Sequence, residues 1–133
     1  MSVRAVIDTN VLVSAHWTGD ADSPTVRVYR ALLSGVITAL VNDEILSEYR
    51  DVLHRPKFGF NAKDVDRGLA YIAQTGETVL PEDSDETFPD PDDRVFYCTA
   101  LAGGAWLVTG NARHYPRADF VVTPAQLCGI AGI

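Results

Sequence analysis

The chain has few of the residues that staple, anchor or metallate a protein. It holds two cysteines, Cys98 and Cys128, thirty residues apart, and three histidines in 133 residues. With no Cys-x-x-Cys pair, neither a disulfide framework nor a thiolate zinc site is expected, and both thiols are assigned to core packing. No apolar run approaches the roughly 20 residues of a membrane-spanning helix. No charged and then apolar leader precedes the first strand, so the reading is a soluble, cytoplasmic protein with reduced thiols and no membrane partner. Gly-x-Gly-x-x-Gly and P-loop patterns are absent, which removes the reason to expect a nucleotide cofactor. Internal repeats and low-complexity tracts are missing too. The length suits one domain over residues 1–133 with a single core.

Positive charge is also scarce. The formal net charge is −7, from 18 Asp plus Glu against 11 Lys plus Arg. Residues 82 to 93 alone contain Glu82, Asp83, Asp85, Glu86, Asp90, Asp92 and Asp93 with no Lys or Arg, so the remainder is formally neutral. An acidic segment of this kind holds divalent cations or a basic partner, or is a solvated loop; nonspecific phosphate binding would need a basic stripe instead.

What the chain does have is an alternation of short apolar strands and helices. VRAVI ends at Asp8, Thr9 and Asn10, as a buried strand delivering a carboxylate at its carboxyl end. In open parallel sheets that is where ligands bind, although Asp8 also suits an N-cap. Ser23 and Pro24 open a helix that stops at Gly35, and residues 36 to 41 form the next strand. Asn42 caps an amphipathic helix in which Ile45, Leu46, Tyr49, Val52 and Leu53 share one face. Glu48 borders that face, with Glu44 one turn above it, whereas Asp43 and Asp51 point to solvent; pairing with Arg55 or Lys57 is the alternative use of Glu48.

RPKFGFNAKD makes a turn, residues 63 to 75 a helix and residues 78 to 80 a weak strand. The acidic connector then runs to a helix with Asp90 as cap, Pro91 at its first position, and Asp92 and Asp93 in its first turn. AWLVT, residues 105 to 109, is a buried strand whose end, Thr109, Gly110 and Asn111, echoes Asp8, Thr9 and Asn10. Residues 118 to 123 form a last strand and Pro124 opens a short helix. This order predicts a three-layer α/β/α sandwich around a parallel sheet. Acids delivered to one pocket cannot all stay ionised without a cation, and an all-oxygen set suits Mg²⁺ or Mn²⁺.

IDTNVLVSA at 7 to 15, ILSEYRDVLHRPKF at 45 to 58, DPDDRVFYCTALAGGAWLVTGN at 90 to 111 and RHYP at 113 to 116 together resemble the PIN-domain ribonucleases, in particular VapC-like toxins of toxin-antitoxin pairs. The resemblance implies a central parallel sheet of about five strands and a metal-dependent endoribonuclease that hydrolyses RNA phosphodiester bonds. It places metal-binding, catalytic positions on Asp8, Glu48 and Asp93, with Asn111 at a fourth position that is often Asp, leaving one charge fewer. Thr9, Asn10, Asp92 and Thr109 would support the metal ligands. Arg94, Arg113, His114 and Arg117 are the candidates for contacts to RNA. The implied partners are RNA, a cognate antitoxin and a second copy in a homodimer. Two other classes compete: a PIN-fold interaction module with impaired catalysis, which Asn111 favours, and a small-molecule phosphatase or phosphotransfer domain, against which Asn10 counts because that chemistry wants an Asp two residues after the first.

Overall fold

A computed structural model describes residues 2–133. Five strands, β1 (Val3–Ile7), β2 (Ile37–Val41), β3 (Glu77–Thr78), β4 (Trp106–Val108) and β5 (Val121–Val122), form one sheet in the order β3-β2-β1-β4-β5. All four pairings are parallel, with Ala5 opposite both Ala39 and Trp106. Consecutive residues Ala5, Val6 and Ile7 are all buried, as are Ala39, Leu40 and Val41, which requires cover on both faces of the sheet. The cover comes from α1 (Thr9–Trp17), α2 (Pro24–Ser34), α3 (Asp43–Leu53), α4 (Ala62–Thr75), α5 (Arg94–Gly103) and α6 (Pro124–Ala131). Helix α5 packs on β1, β2 and β4, while α2 packs on β2, α1, α4 and α6. The result is the expected three-layer α/β/α sandwich.

Local chemistry sets the boundaries. Ser23 accepts from the Val26 amide with Pro24 next in line, and Gly35 closes α2 at φ 85°. Asn42 accepts from the Ile45 amide at 3.0 Å, and its own amide donates to the Val79 carbonyl and to Thr99, both at 3.0 Å. One buried side chain thereby starts α3 and ties it to the chain leaving β3 and to α5. Thr123 and Gln126 form a reciprocal capping box at the start of α6.

Several boundaries differ from the sequence reading, three of them with a local cause. The last strand shrinks from residues 118–123 to Val121–Val122, and the strand at 78–80 moves to Glu77–Thr78. Both lie at sheet edges, where a single neighbour limits the ladder. Asp90 does not cap an α-helix directly. Its carboxylate accepts from the Asp92 amide over a 3₁₀ turn, Pro91–Asp93, and α5 begins at Arg94.

The topology fixes one crevice. The chain moves outward from β1 to β2 and β3, then crosses back so that β4 and β5 add on the other side of β1. Strand order therefore reverses between β1 and β4, and the carboxyl ends of those two strands are Asp8 and Thr109.

Candidate active site

The ends of β1 and β4 are clasped to each other through the residues that follow them. The Asp8 amide donates to the Val108 carbonyl at 2.9 Å, which continues the ladder one residue past the strand. Asn10 donates to Asp8 at 3.2 Å and accepts from the Gly110 amide at 3.0 Å. Thr109 donates its hydroxyl to Asp8 at 2.8 Å and accepts from the Asn111 amide at 3.0 Å. The two similar tripeptides thus interlock.

Asp8 occupies the N-cap position of α1 but does not cap it; the carboxylate turns the other way. Its Oδ2 accepts from Thr109, from Asn10 and from the Tyr115 hydroxyl at 2.9 Å. At 6% exposure Asp8 is buried, and burial raises its pKa against the lowering effect of the Thr109 and Tyr115 hydrogen bonds. A buried acid with several donors and no cationic partner is an unusual feature for a core.

Glu48 stands half-buried on α3 and accepts from the Thr9 hydroxyl, which follows Asp8 directly. Its alternative partner Arg55 pairs with Asp51 at 3.2 Å instead. Burial raises the Glu48 pKa, and the charges of Asp8, Asp92 and Asp90 push the same way against the Thr9 hydrogen bond. Asp93, half-buried at the end of the 3₁₀ turn, is raised to about 6 by burial and by Asp8, Asp90 and Glu48, with His114 opposing. The Asp8 charge therefore raises both of the other two, and Glu48 raises Asp93. Glu44 and Asp92 are exposed.

The remaining candidates divide. Thr9, Asn10 and Thr109 all bond directly to one of the acids. Asn111 is joined through its backbone amide while its side chain is exposed. Arg94 is turned into the acidic connector, donating to the Ser84 and Glu86 carbonyls with its guanidinium 5.6 Å from the Phe88 ring. Arg113 and Arg117 are exposed and border a cavity of about 420 Å³ with Tyr115 and Pro116, and His114 is exposed nearby.

Tyr115 is the site residue that the sequence reading did not assign. It lies in RHYP and its hydroxyl reaches a carboxylate more than a hundred residues earlier, so only its place just after the β4 end hinted at a role. Burial and the Asp8 charge hold the phenol strongly protonated. It acts there as a fixed donor.

Among the described residues, no three His, Cys, Asp or Glu side chains are gathered into a set that could hold a metal ion as they stand. Asp8 and Glu48 are each held by hydroxyl donors. The donor chemistry nevertheless fits a hard divalent ion: of three oxygen-donor carboxylates, Asp8 is raised by burial, and Glu48 and Asp93 by burial and by neighbouring acids, a repulsion that a cation would relieve. A cavity of about 640 Å³ at the opposite ends of β1 and β4, lined by Val3, Arg4, Trp106 and Phe120, contains none of these acids.

No curated protein and no solved structure matches the chain. A family model described as PIN domain matches residues 4–113, which takes in β1, the acids on α3 and before α5, and the β4 end. Members of that family are generally nucleases, and by this match over most of its length the chain belongs to the PIN domain family.

Proposed function

We propose that this protein is a Mg²⁺- or Mn²⁺-dependent endoribonuclease acting as the toxin of a toxin-antitoxin pair. The observation that carries the reading is the gathering of three carboxylates with raised pKa values, Asp8, Glu48 and Asp93, at the one crevice where strand order reverses. Asp8, Glu48 and Asp93 would hold the ion, with Asn111 assisting. A bound divalent ion in such a site polarises the phosphoryl oxygen and lowers the pKa of water for attack on the phosphodiester.

The chain's own residues do the rest. Thr109, Tyr115 and Asn10 fix the Asp8 carboxylate on Oδ2, which orients the group without neutralising it. Thr9 does the same for Glu48. Asp93, raised to about 6, is still largely ionised at neutral pH and would be available to a cation. Exposed Arg113, His114 and Arg117 supply positive groups beside the β4 end for backbone phosphates. Arg94 is left out of that role because the connector occupies it.

The same acids suit an inhibitor. The negative excess in residues 82 to 93 leads into the 3₁₀ turn that carries Asp93, so an antitoxin presenting Arg or Lys would replace the metal electrostatically. A homodimer is the assembly proposed. Controlled expression followed by sequencing of RNA ends tests the reading: wild-type protein arrests growth and leaves discrete new ends, and Asp8→Asn does neither. Growth arrest by a folded Asp8→Asn protein would overturn the assignment.

A further inference from the structure

At the far end of α1 from the acids lies a cluster of aromatic rings that the carboxylate chemistry does not use. Trp17, the last residue of α1, is 65% exposed and stands edge-on to Phe58 at 6.1 Å and to Phe60 at 6.2 Å. Phe58 and Phe60 are parallel within 6° at 5.2 Å, and His16 backs Phe60 at 5.4 Å. The local sequence explains the pairing of the phenylalanines. Pro56 opens a 3₁₀ turn, and Gly59 at φ 64° reverses the chain between the two rings, a conformation that favours glycine.

The charge of this turn is opposite to that of the chain. Residues 54 to 63 contain Arg55, Lys57 and Lys63 and no Asp or Glu, in a protein of net charge −7. Arg55 is paired with Asp51 and His54 with Asp66, but among the described residues Lys57 and Lys63 enter no ion pair. The Lys57 ammonium lies 5.1 Å from the centre of the Phe58 ring. An exposed indole, backed by the half-buried rings of Phe58 and Phe60 and flanked by cations, is what single-stranded nucleic acid needs: a base stacks on the open ring and phosphates meet the lysines. A patch made for a protein partner would accept the open indole, but lysine is depleted at such interfaces.

The cluster is placed for the same strand that the acids would cut. Helix α1 begins at Thr9, which bonds Glu48, and ends at Trp17, about 12 Å further along its axis at 1.5 Å per residue. Helix α3 carries Glu48 and runs toward the turn holding Phe58 and Phe60, packed beside α1. The two helices thus connect the acids to the rings along one wall.

Resting on the ribonuclease reading, we infer that Trp17, Phe58 and Phe60, with Lys57 and Lys63, form a base-stacking subsite that holds the single-stranded RNA substrate beyond the scissile phosphate. The specificity of such a subsite is for unpaired bases rather than for a base sequence, since every base offers a π-face.

The test uses the full chain carrying Asp8→Asn, so that RNA stays intact, and reads tryptophan fluorescence during titration with a twelve-residue oligoadenylate. The oligonucleotide quenches the signal, and Trp17→Phe in the same background removes most of the quenching. Trp17→Ala weakens binding about five- to a hundredfold, the range that alanine substitution at stacking sites gives. An abasic ribose-phosphate oligomer of the same length binds more weakly by a similar factor, and Lys57→Ala lowers the slope of log affinity against log salt by about 0.7. Equal binding by Trp17→Ala, or equal affinity for the abasic oligomer, would overturn the subsite. So would a concentration-dependent dimer that Trp17→Ala dissociates in the absence of any quenching, because the rings would then be a contact between copies. Quenching at Trp17 without Mg²⁺-dependent cleavage by the wild type would keep the subsite and remove the nuclease reading; cleavage with unaltered Trp17→Ala binding would do the reverse.

Discussion

Residues 54–63, which join α3 to α4, and residues 82–93, which lead from β3 to α5, carry opposite charge and are held in opposite ways. The first is a tight turn set by Pro56 and Gly59, with rings packed against the end of α1. The second is a long acidic path pinned at intervals: the Glu82 amide donates to the Cys98 carbonyl, Arg94 to Ser84 and Glu86, and Phe88 packs edge-on to Tyr97 at 5.4 Å. The comparison shows that net charge says little about partners here. Negative charge is concentrated beside Asp93 and the other candidate acids, and positive charge beside the rings at the end of α1.

Breaking the acidic side should have the largest effect. Asp8→Asn is expected to lower RNA cleavage by at least about a hundredfold, because loss even of a group that only supports a ligand costs ten- to a hundredfold. Its melting temperature without metal should be unchanged or higher, as the substitution removes a buried charge with no cationic partner. Cleavage by a folded Asp8→Asn protein near the wild-type rate would contradict the placement of the site.

A change in pH should separate the two regions next. Asp93 is raised from 3.8 to about 6, so in that interval the folded state binds more protons than the unfolded one. Stability contributed by this group therefore falls as pH rises from about 4 to about 6 and levels off above that. Asp93→Asn should flatten this decline in metal-free chemical denaturation, whereas Lys57→Ala should leave it intact. An unchanged decline in Asp93→Asn would show that other groups set it.

Smaller effects sharpen the fourth position and the pins. Asn111→Asp is expected to tighten Mn²⁺ binding about tenfold in calorimetry, the scale of one added charge several ångströms from a divalent ion in a wet site. No change would mean that this exposed side chain does not turn toward the acids. Arg94→Ala should cost about 1–2 kcal/mol in urea unfolding through its lost carbonyl bonds and leave RNA affinity unchanged, since its guanidinium faces the connector. Glu44→Gln, fully at the surface of α3, should be nearly neutral in both assays.

The sheet, the helix starts and the delivery of Asp8 were legible because they rest on local chemistry: β-branched runs, Ser23 and Asn42 as caps, Pro24 and Pro124 at first helical positions. The edge strands were overextended because strand length there depends on how far the neighbour reaches, which no local pattern records. At the site, the echo between Asp8-Thr9-Asn10 and Thr109-Gly110-Asn111 was visible, but not that the two would bond to each other. Tyr115 and the rings around Trp17 were not legible for the same reason. Tyr115 meets Asp8, and Trp17 meets Phe58 and Phe60, only through long-range packing. The direction of Arg94 was not legible from its nearness in sequence to Asp93, since its guanidinium turns back along the connector.

The claim that these carboxylates form a metal-dependent RNA-cleaving centre is tested most directly by one side-by-side assay on mixed single-stranded RNA. Purified wild-type protein and Asp8→Asn are incubated with Mg²⁺, with Mn²⁺, and with chelator in place of metal. The account predicts cleavage by the wild type with either ion, none with chelator, and none by Asp8→Asn under any condition. Cleavage that persists in chelator, or that Asp8→Asn performs as the wild type does, would contradict it.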